Sequence, residues 1–231
     1  MPRNQDHPFL GQAARAAGAA GRHGLGLGRG HARGPADATF ADAGDPAGTS
    51  RWAREHGWTA GDDHAAEVAG RLLATAPLRR LGPDHRPVRV RTGRPGDVPA
   101  LAFDVELTTA AGGVPEAAVT ALAVDAPTVR LSPARLWVQG AGRWVAVPSG
   151  DPDLDARWRL LCGPDDVARL QPLAADPVLR ASLLGTDDGD DLWTAAGFLA
   201  ALRPDWHRPQ LLDHHLGLLT VVRQALARLA G

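Results

Sequence analysis

The sequence contains no lysine, isoleucine or tyrosine, and only one asparagine, one methionine and one cysteine. A single cysteine, Cys162, excludes an intramolecular disulfide and any zinc or iron–sulfur site built from several thiolates. All 25 basic side chains are arginine. With lysine, isoleucine and tyrosine missing together, this is the mark of GC-rich coding, so arginine here is not in itself a sign of phosphate or carboxylate recognition. No surplus of one charge exists either: 25 basic and 26 acidic side chains leave a formal charge of -1, which argues against a generally basic nucleic-acid binder and against an acidic solvating chain. No apolar run approaches the ~18 residues of a spanning helix. Arg15 interrupts the small-residue run near the start where a secretory core would lie, so a cytoplasmic protein is expected. What is present is ordinary: 231 residues, 44% hydrophobic and 22% charged, enough for one domain or two small ones with a sizeable core.

Residues 1–48 hold ten glycines and twelve alanines but few large hydrophobes, too little apolar surface to offset the entropy of ordering the backbone. They read as a disordered tail, followed by a single domain over 49–231. The Gly21–Gly34 stretch offers a GxGxG pattern and an RGG-like segment, but no strand precedes it and no helix follows, as a dinucleotide fingerprint requires. Ser50 is placed to cap a first helix carrying Trp52 and Trp58, and Asp62 or Asp63 a second that ends before Pro77.

Between 86 and 148 the pattern turns to period two. Leu101, Phe103, Val105 and Leu107 alternate with Ala102, Asp104, Glu106 and Thr108, which predicts a half-buried strand. Similar runs separated by short glycine turns predict an antiparallel meander of about five strands with one wet face. Residues 150–231 read as helix-rich. Pro164, Pro177 and Pro209 suit first helical turns, and the last of these opens a long amphipathic helix whose apolar face carries Leu211, His215, Leu218, Leu219, Val222, Leu226 and Leu229. The 191–203 segment, with Leu192, Trp193, Phe198, Leu199 and Leu202, fits a helix or a strand followed by a helix.

Four groups of residues could carry chemistry. His64 and Glu67 share a helical face by their i, i+3 spacing and could ligate a divalent metal, although acidic residues in a first turn also serve the helix dipole. Asp213-His214-His215 spells the short motif of a manganese-dependent phosphoesterase family, but adjacent helical residues point about 100° apart, and His215 on an apolar face reads better as a hydrogen-bonded core histidine. The acidic 187–191 loop lacks the spacing of an EF-hand and reads as a solvated turn or a cap supplied by Asp190 or Asp191. Ser50, Ser132, Ser149 and Ser182 lie in no G-x-S-x-G elbow. Of the seven tryptophans, Trp137 and Trp144 flank one expected turn and form the preferred exposed pair should a binding surface exist.

Trp52-Ala-Arg-Glu-His-Gly-Trp58, then Ala102-Phe103-Asp104 in a strand ending at Thr108-Thr109, then Ala126-Pro127 to Ser132-Pro133, then Asp153-Leu-Asp155 to Leu160 and a helical last half, follow one another in order. Over about 51–225 this order resembles a group of proteins of high-GC Gram-positive bacteria, some of them membrane-anchored, to which no activity is assigned. The sequence departs from that pattern at Val105, where an aromatic would follow Phe103-Asp104. The resemblance implies fold order and a bacterial origin and brings no catalytic residue with it.

The expectation is therefore an α+β domain, a five-strand antiparallel meander packed against several helices, acting as a non-catalytic protein-binding or accessory module. Its partner would be another protein or a second copy through the C-terminal helix. No cofactor is expected. The competing reading is a metal-dependent hydrolase whose divalent ion is held by His64, Glu67, His214 and His215. A third is salt-sensitive nucleic-acid binding through the Gly/Arg tail, which the neutral overall charge disfavours.

Overall fold

The computed structural model describes residues 44–77, 81–136, 144–186 and 189–229. All of them belong to a unit that begins at Gly34. The expected tail therefore lies almost wholly outside the described residues, as do the 137–143 turn and the middle of the acidic loop.

The first helix, α1 (Pro46–Glu55), starts four residues before Ser50. Asp45 caps it by accepting from the Gly48 amide at 2.8 Å, and Pro46 supplies a preset φ at the first position. Ser50 instead bonds the Pro46 carbonyl one turn back, at 2.8 Å. After the two-residue strand β1 (Thr59–Ala60), Asp62 caps α2 (Asp63–Ala74) by accepting from the Ala65 amide at 2.9 Å. Then come β2 (His85–Gly93), β3 (Ala100–Thr109), β4 (Gly112–Ala123), β5 (Val129–Pro133) and β6 (Val145–Val147). The last part holds α3 (Pro152–Arg157), β7 (Trp158–Cys162), α4 (Val167–Ala174), α5 (Pro177–Leu184), β8 (Asp191–Ala195), β9 (Phe198–Arg203) and α6 (Pro209–Ala227).

The nine strands form one antiparallel sheet in the order β1-β2-β3-β4-β9-β8-β5-β7-β6. The expected α+β architecture and C-terminal helix are present, but the sheet is larger than five strands and is not a simple meander. The four additional strands are β1, ahead of the stretch expected to be strand-rich, and β7, β8 and β9 from the half expected to be helix-rich. The undecided 191–203 segment is a hairpin turned by Ala196 and Gly197, with φ of 53° and 79°. Two successive left-handed residues match the twist of a two-residue hairpin, and this pair favours strand over helix. The hairpin enters the middle of the sheet, pairing β9 with β4 and β8 with β5.

Period two in β3 holds, but neither face of its first six residues is wet. Leu101, Phe103 and Val105 pack with Val119, Ala200 and Leu202 against Val68, Ala69 and Leu72 of α2. Ala100 and Ala102 point to the other face, with Leu199, Ala201, and Leu212, Leu219 and Val222 of α6. Helices on both faces thus turn the expected half-exposed strand into a buried one, and Asp104 is left 2% exposed. Where backbone and ring approach most closely, Gly93 lies under Trp58, and a Cβ there would stand 2.3 Å from the indole.

A buried histidine–carboxylate chain as the candidate functional site

Register decides which polar groups meet beneath α6. Directly opposed residues of an antiparallel pair share a face. Ala118 of β4 stands opposite both Asp104 of β3 and Arg203 of β9, and Thr120 stands opposite Ala102 and Ala201. Asp104, Thr120 and Arg203 therefore project to the α6 side, and the small alanines between them leave room for imidazole rings. His215 comes down from the buried face of α6, His214 from its flank, His207 from the β9–α6 connection, and Asp190 from the residue before β8.

These groups form a continuous chain. Asp104 Oδ1 lies 2.9 Å from His207 Nδ1, and His207 Nε2 lies 3.1 Å from Thr120 Oγ1. Thr120 Oγ1 lies 3.0 Å from His215 Nδ1, and His215 Nε2 lies 3.1 Å from Asp190 Oδ1. The ends are anchored by arginine: Arg89 Nε donates to Asp104 Oδ2 at 2.8 Å, and Arg203 Nη1 to Asp190 Oδ1 at 2.9 Å. The His207 amide also donates to Asp104 Oδ1, and His214 Nε2 lies 2.8 Å from Asp190 Oδ2. None of the five chain residues is more than 2% exposed.

Electrostatics follow from this geometry. Burial would raise the Asp104 carboxyl, but hydrogen bonds and charge from His207 and Arg89 outweigh it and bring it down to about 2. At Asp190 burial is likewise outweighed, by His215, His214 and Arg203, and the carboxyl sits well below its usual range. Burial dominates at His215 and lowers it to about 4, against the pull of Asp190. Asp191, one residue on, points to the opposite face. There burial pushes it up to about 6 although Arg130 holds it through Nε at 3.1 Å and Nη2 at 2.6 Å.

The residues singled out from sequence fare differently. His214 and His215 do come together, on Asp190 rather than on each other. His64 and Glu67 are exposed on α2, whose buried side packs on the opposite face of the sheet. The four expected ligands are thus split between the two sides of the molecule, because the sheet runs between their helices. Among the described residues no group of three or more His, Cys, Asp or Glu is arranged to hold a metal ion. Asp190 and Asp191 cap no helix, since a strand follows them. Trp137 lies outside the described residues, and Trp144 is half-buried beside β6, so the expected pair cannot be assembled here. Cys162 is fully buried and burial raises its thiol, which suits a small core side chain.

Sequence reading missed Asp104 and Thr120, took Asp190 only for a turn or cap residue, and gave His207 no role beyond lying near the 213–215 motif. Thr120 did leave a signal, a lone hydroxyl inside the apolar run from Ala117 to Ala123. The carboxylates left none, because an alternating Asp on a strand and an acidic loop both look solvated until the covering helix is placed.

No family model and no curated protein matches the chain. No helix among the described residues is long and apolar enough to cross a membrane. Among solved structures the chain is similar to the crystal structure of the mycobacterial trehalose monomycolate transport factor A, TtfA, with a TM-score of 0.56 at 16% identity, covering 78% of this chain and 92% of that one. Identity this low shows a shared fold, an α+β sheet-and-helix architecture spanning most of the crystallised chain.

Proposed function

We propose that the chain is a non-catalytic accessory module that works in the cytoplasm by binding another protein, as a factor serving a transport assembly. The single observation that carries the reading is the fold it shares with TtfA across 92% of the crystallised chain. The polar cluster supports it. Its histidines and carboxylates are spent on one another beneath α6, and a group committed in this way braces a fold more readily than it attacks a substrate.

The test is site-specific photo-crosslinking of the tagged chain in its native cell, followed by identification of the cross-linked protein and a binding measurement with both proteins purified. A saturable complex with a component of a transport system supports the reading. Turnover of chromogenic esters or phosphodiesters by the purified chain, lost in His214→Ala while the circular dichroism spectrum is unchanged, would overturn it in favour of a hydrolase.

A further inference from the structure

Two hydrogen-bond donors beside the buried chain have no acceptor. Arg89 Nη2 and Trp206 Nε1 are both buried and unpaired, and they belong to one stack, with the guanidinium carbon of Arg89 lying over the indole 4.0 Å from its centroid. Buried polar groups in native proteins are almost always paired, so two orphaned donors in one stack call for an acceptor from outside the fold.

The sheet is shaped to bring Arg89 there. Between Val88, opposite Asp104, and Arg91, opposite Ala102, β2 carries one residue more than β3. Strict alternation would set Val88 and Arg91 on opposite faces, whereas this bulge sets both on the α6 side. Val90 packs on the α2 side, and Arg89 turns to Asp104 with a φ of 53°, a left-handed backbone that a residue other than glycine adopts only under strain.

The charges here do not cancel. Arg89 Nε donates to Asp104 Oδ2 at 2.8 Å, which leaves the outer end of the guanidinium, Nη1 and Nη2, unused. Of those two nitrogens only Nη2 is buried, and the side chain is 29% exposed, so Nη1 is open to solvent. Arg91 bonds only neutral oxygens, the Arg89 carbonyl at 2.9 Å and Ser50 Oγ at 3.0 Å. Among the described residues the two arginines thus share a single carboxylate, Asp104, and one positive charge is left over. Asp205, next to Trp206, is held by Arg208 Nη1 at 2.6 Å.

We propose that Arg89, Trp206 and Arg91 form a recognition site for one carboxylate of a partner protein, an aspartate or glutamate side chain. That carboxylate accepts from the outer end of the Arg89 guanidinium and from the Trp206 indole, while Arg91 supplies the balancing charge. A singly charged group matches the one unpaired positive charge, which a phosphate dianion would exceed, and the fork of Nη1 and Nη2 suits two carboxylate oxygens. The site rests on the protein-binding reading above and names the chemistry its partner presents.

A titration of the purified full chain tests this, followed through the indole N–H signals of its seven tryptophans, with Trp206 assigned by the signal lost in Trp206→Phe. The probe is an acetylated and amidated glycine–glutamate–glycine peptide, whose only carboxylate is the side chain. The matching glutamine peptide and inorganic phosphate are compared with it at the same ionic strength. The Trp206 indole proton is expected to move downfield and saturate with the glutamate peptide and to stay in place with the glutamine one. Arg89→Gln should abolish the shift. Arg91→Gln, which leaves the Arg89–Asp104 pair in place, should weaken binding several-fold, and it carries the test if Arg89→Gln does not fold. A Trp206 signal that ignores the glutamate peptide, or that answers the glutamine peptide or phosphate at least as strongly, overturns the proposal, and so does undiminished binding in Arg91→Gln. The titration needs no partner, so its failure would leave the cross-linking test of the accessory reading standing.

Discussion

Replacing Asp190 by alanine tests whether the buried chain holds the fold together. Asp190 is fully buried and is shared by Arg203 Nη1 at 2.9 Å, His214 Nε2 at 2.8 Å and His215 Nε2 at 3.1 Å. Arg203 is itself buried, with its side chain only 10% exposed, so the substitution takes a carboxylate partner away from a guanidinium that water barely reaches. Removing one partner of such a pair costs about 3–5 kcal/mol, against a whole-domain stability of about 5–15 kcal/mol. With a urea slope of about 2 kcal/mol/M, the unfolding midpoint should fall by about 2 M. Circular dichroism and tryptophan fluorescence can follow the same transition. Asp190→Ala combined with Arg203→Met should recover a good part of the loss, since the buried positive charge leaves together with the carboxylate. The sign with pH is fixed as well. The Asp190 carboxyl lies well below its usual range in the fold, so its contribution is present above about 3.9 and is lost as pH falls through the folded value. A midpoint shift under about 0.5 M, with no recovery in the double variant, would show that the chain is not a stabilising element and would refute the reasoning.

The remaining predictions concern the two sheet faces and the metal question. Asp191, raised to about 6 chiefly by burial, contributes stability that is complete below about 3.9 and is lost as pH rises through about 6. Asp191→Asn should flatten that part of the pH–stability curve, and an unchanged curve would count against the shift. Gly93→Ala should lower stability by about 1–3 kcal/mol, because the new methyl would meet the Trp58 ring 2.3 Å away; an unaltered melt would mean that the ring moves freely. Trp52→Phe removes the indole donor that bonds Asp213 Oδ1 at 3.1 Å and should cost about 1 kcal/mol in urea titration, and no cost would mean that α1 gains nothing from this tie to α6. Excess chelator should leave the melting temperature of purified protein within about 1 °C, since a tightly held ion would stabilise the native state by mass action. A clear drop would mean that the fold holds an ion after all.

Some of this molecule was legible along the chain and some was not. The amphipathic face of α6 could be read because 3.6-residue periodicity is local: Leu211, His215, Leu218, Leu219, Val222 and Leu226 are all buried as a single stripe. The alternation in β3 could be read for the same reason. Helix starts were less secure, since Ser50 and Asp45 are both plausible caps and only the proline after Asp45 separates them. The hairpin from Asp191 to Arg203 was ambiguous, because a short apolar run bends either way until a neighbouring strand supplies hydrogen bonds.

By itself the sequence determined the residue inventory: one thiol, balanced charge, arginine as the sole strong cation, and two local periodicities that make an α+β fold with a C-terminal helix. Tertiary structure decided what those residues do. It placed His64 and Glu67 on one side of a nine-strand sheet and His214 and His215 on the other. It also joined Asp104, Thr120, Asp190, His207 and His215, which are up to 111 positions apart in the numbering, into a single chain of hydrogen bonds. The reason is range. Periodicity is set by backbone geometry within one element, whereas a buried polar network depends on register between strands and on which helix covers which face, and no local pattern records either.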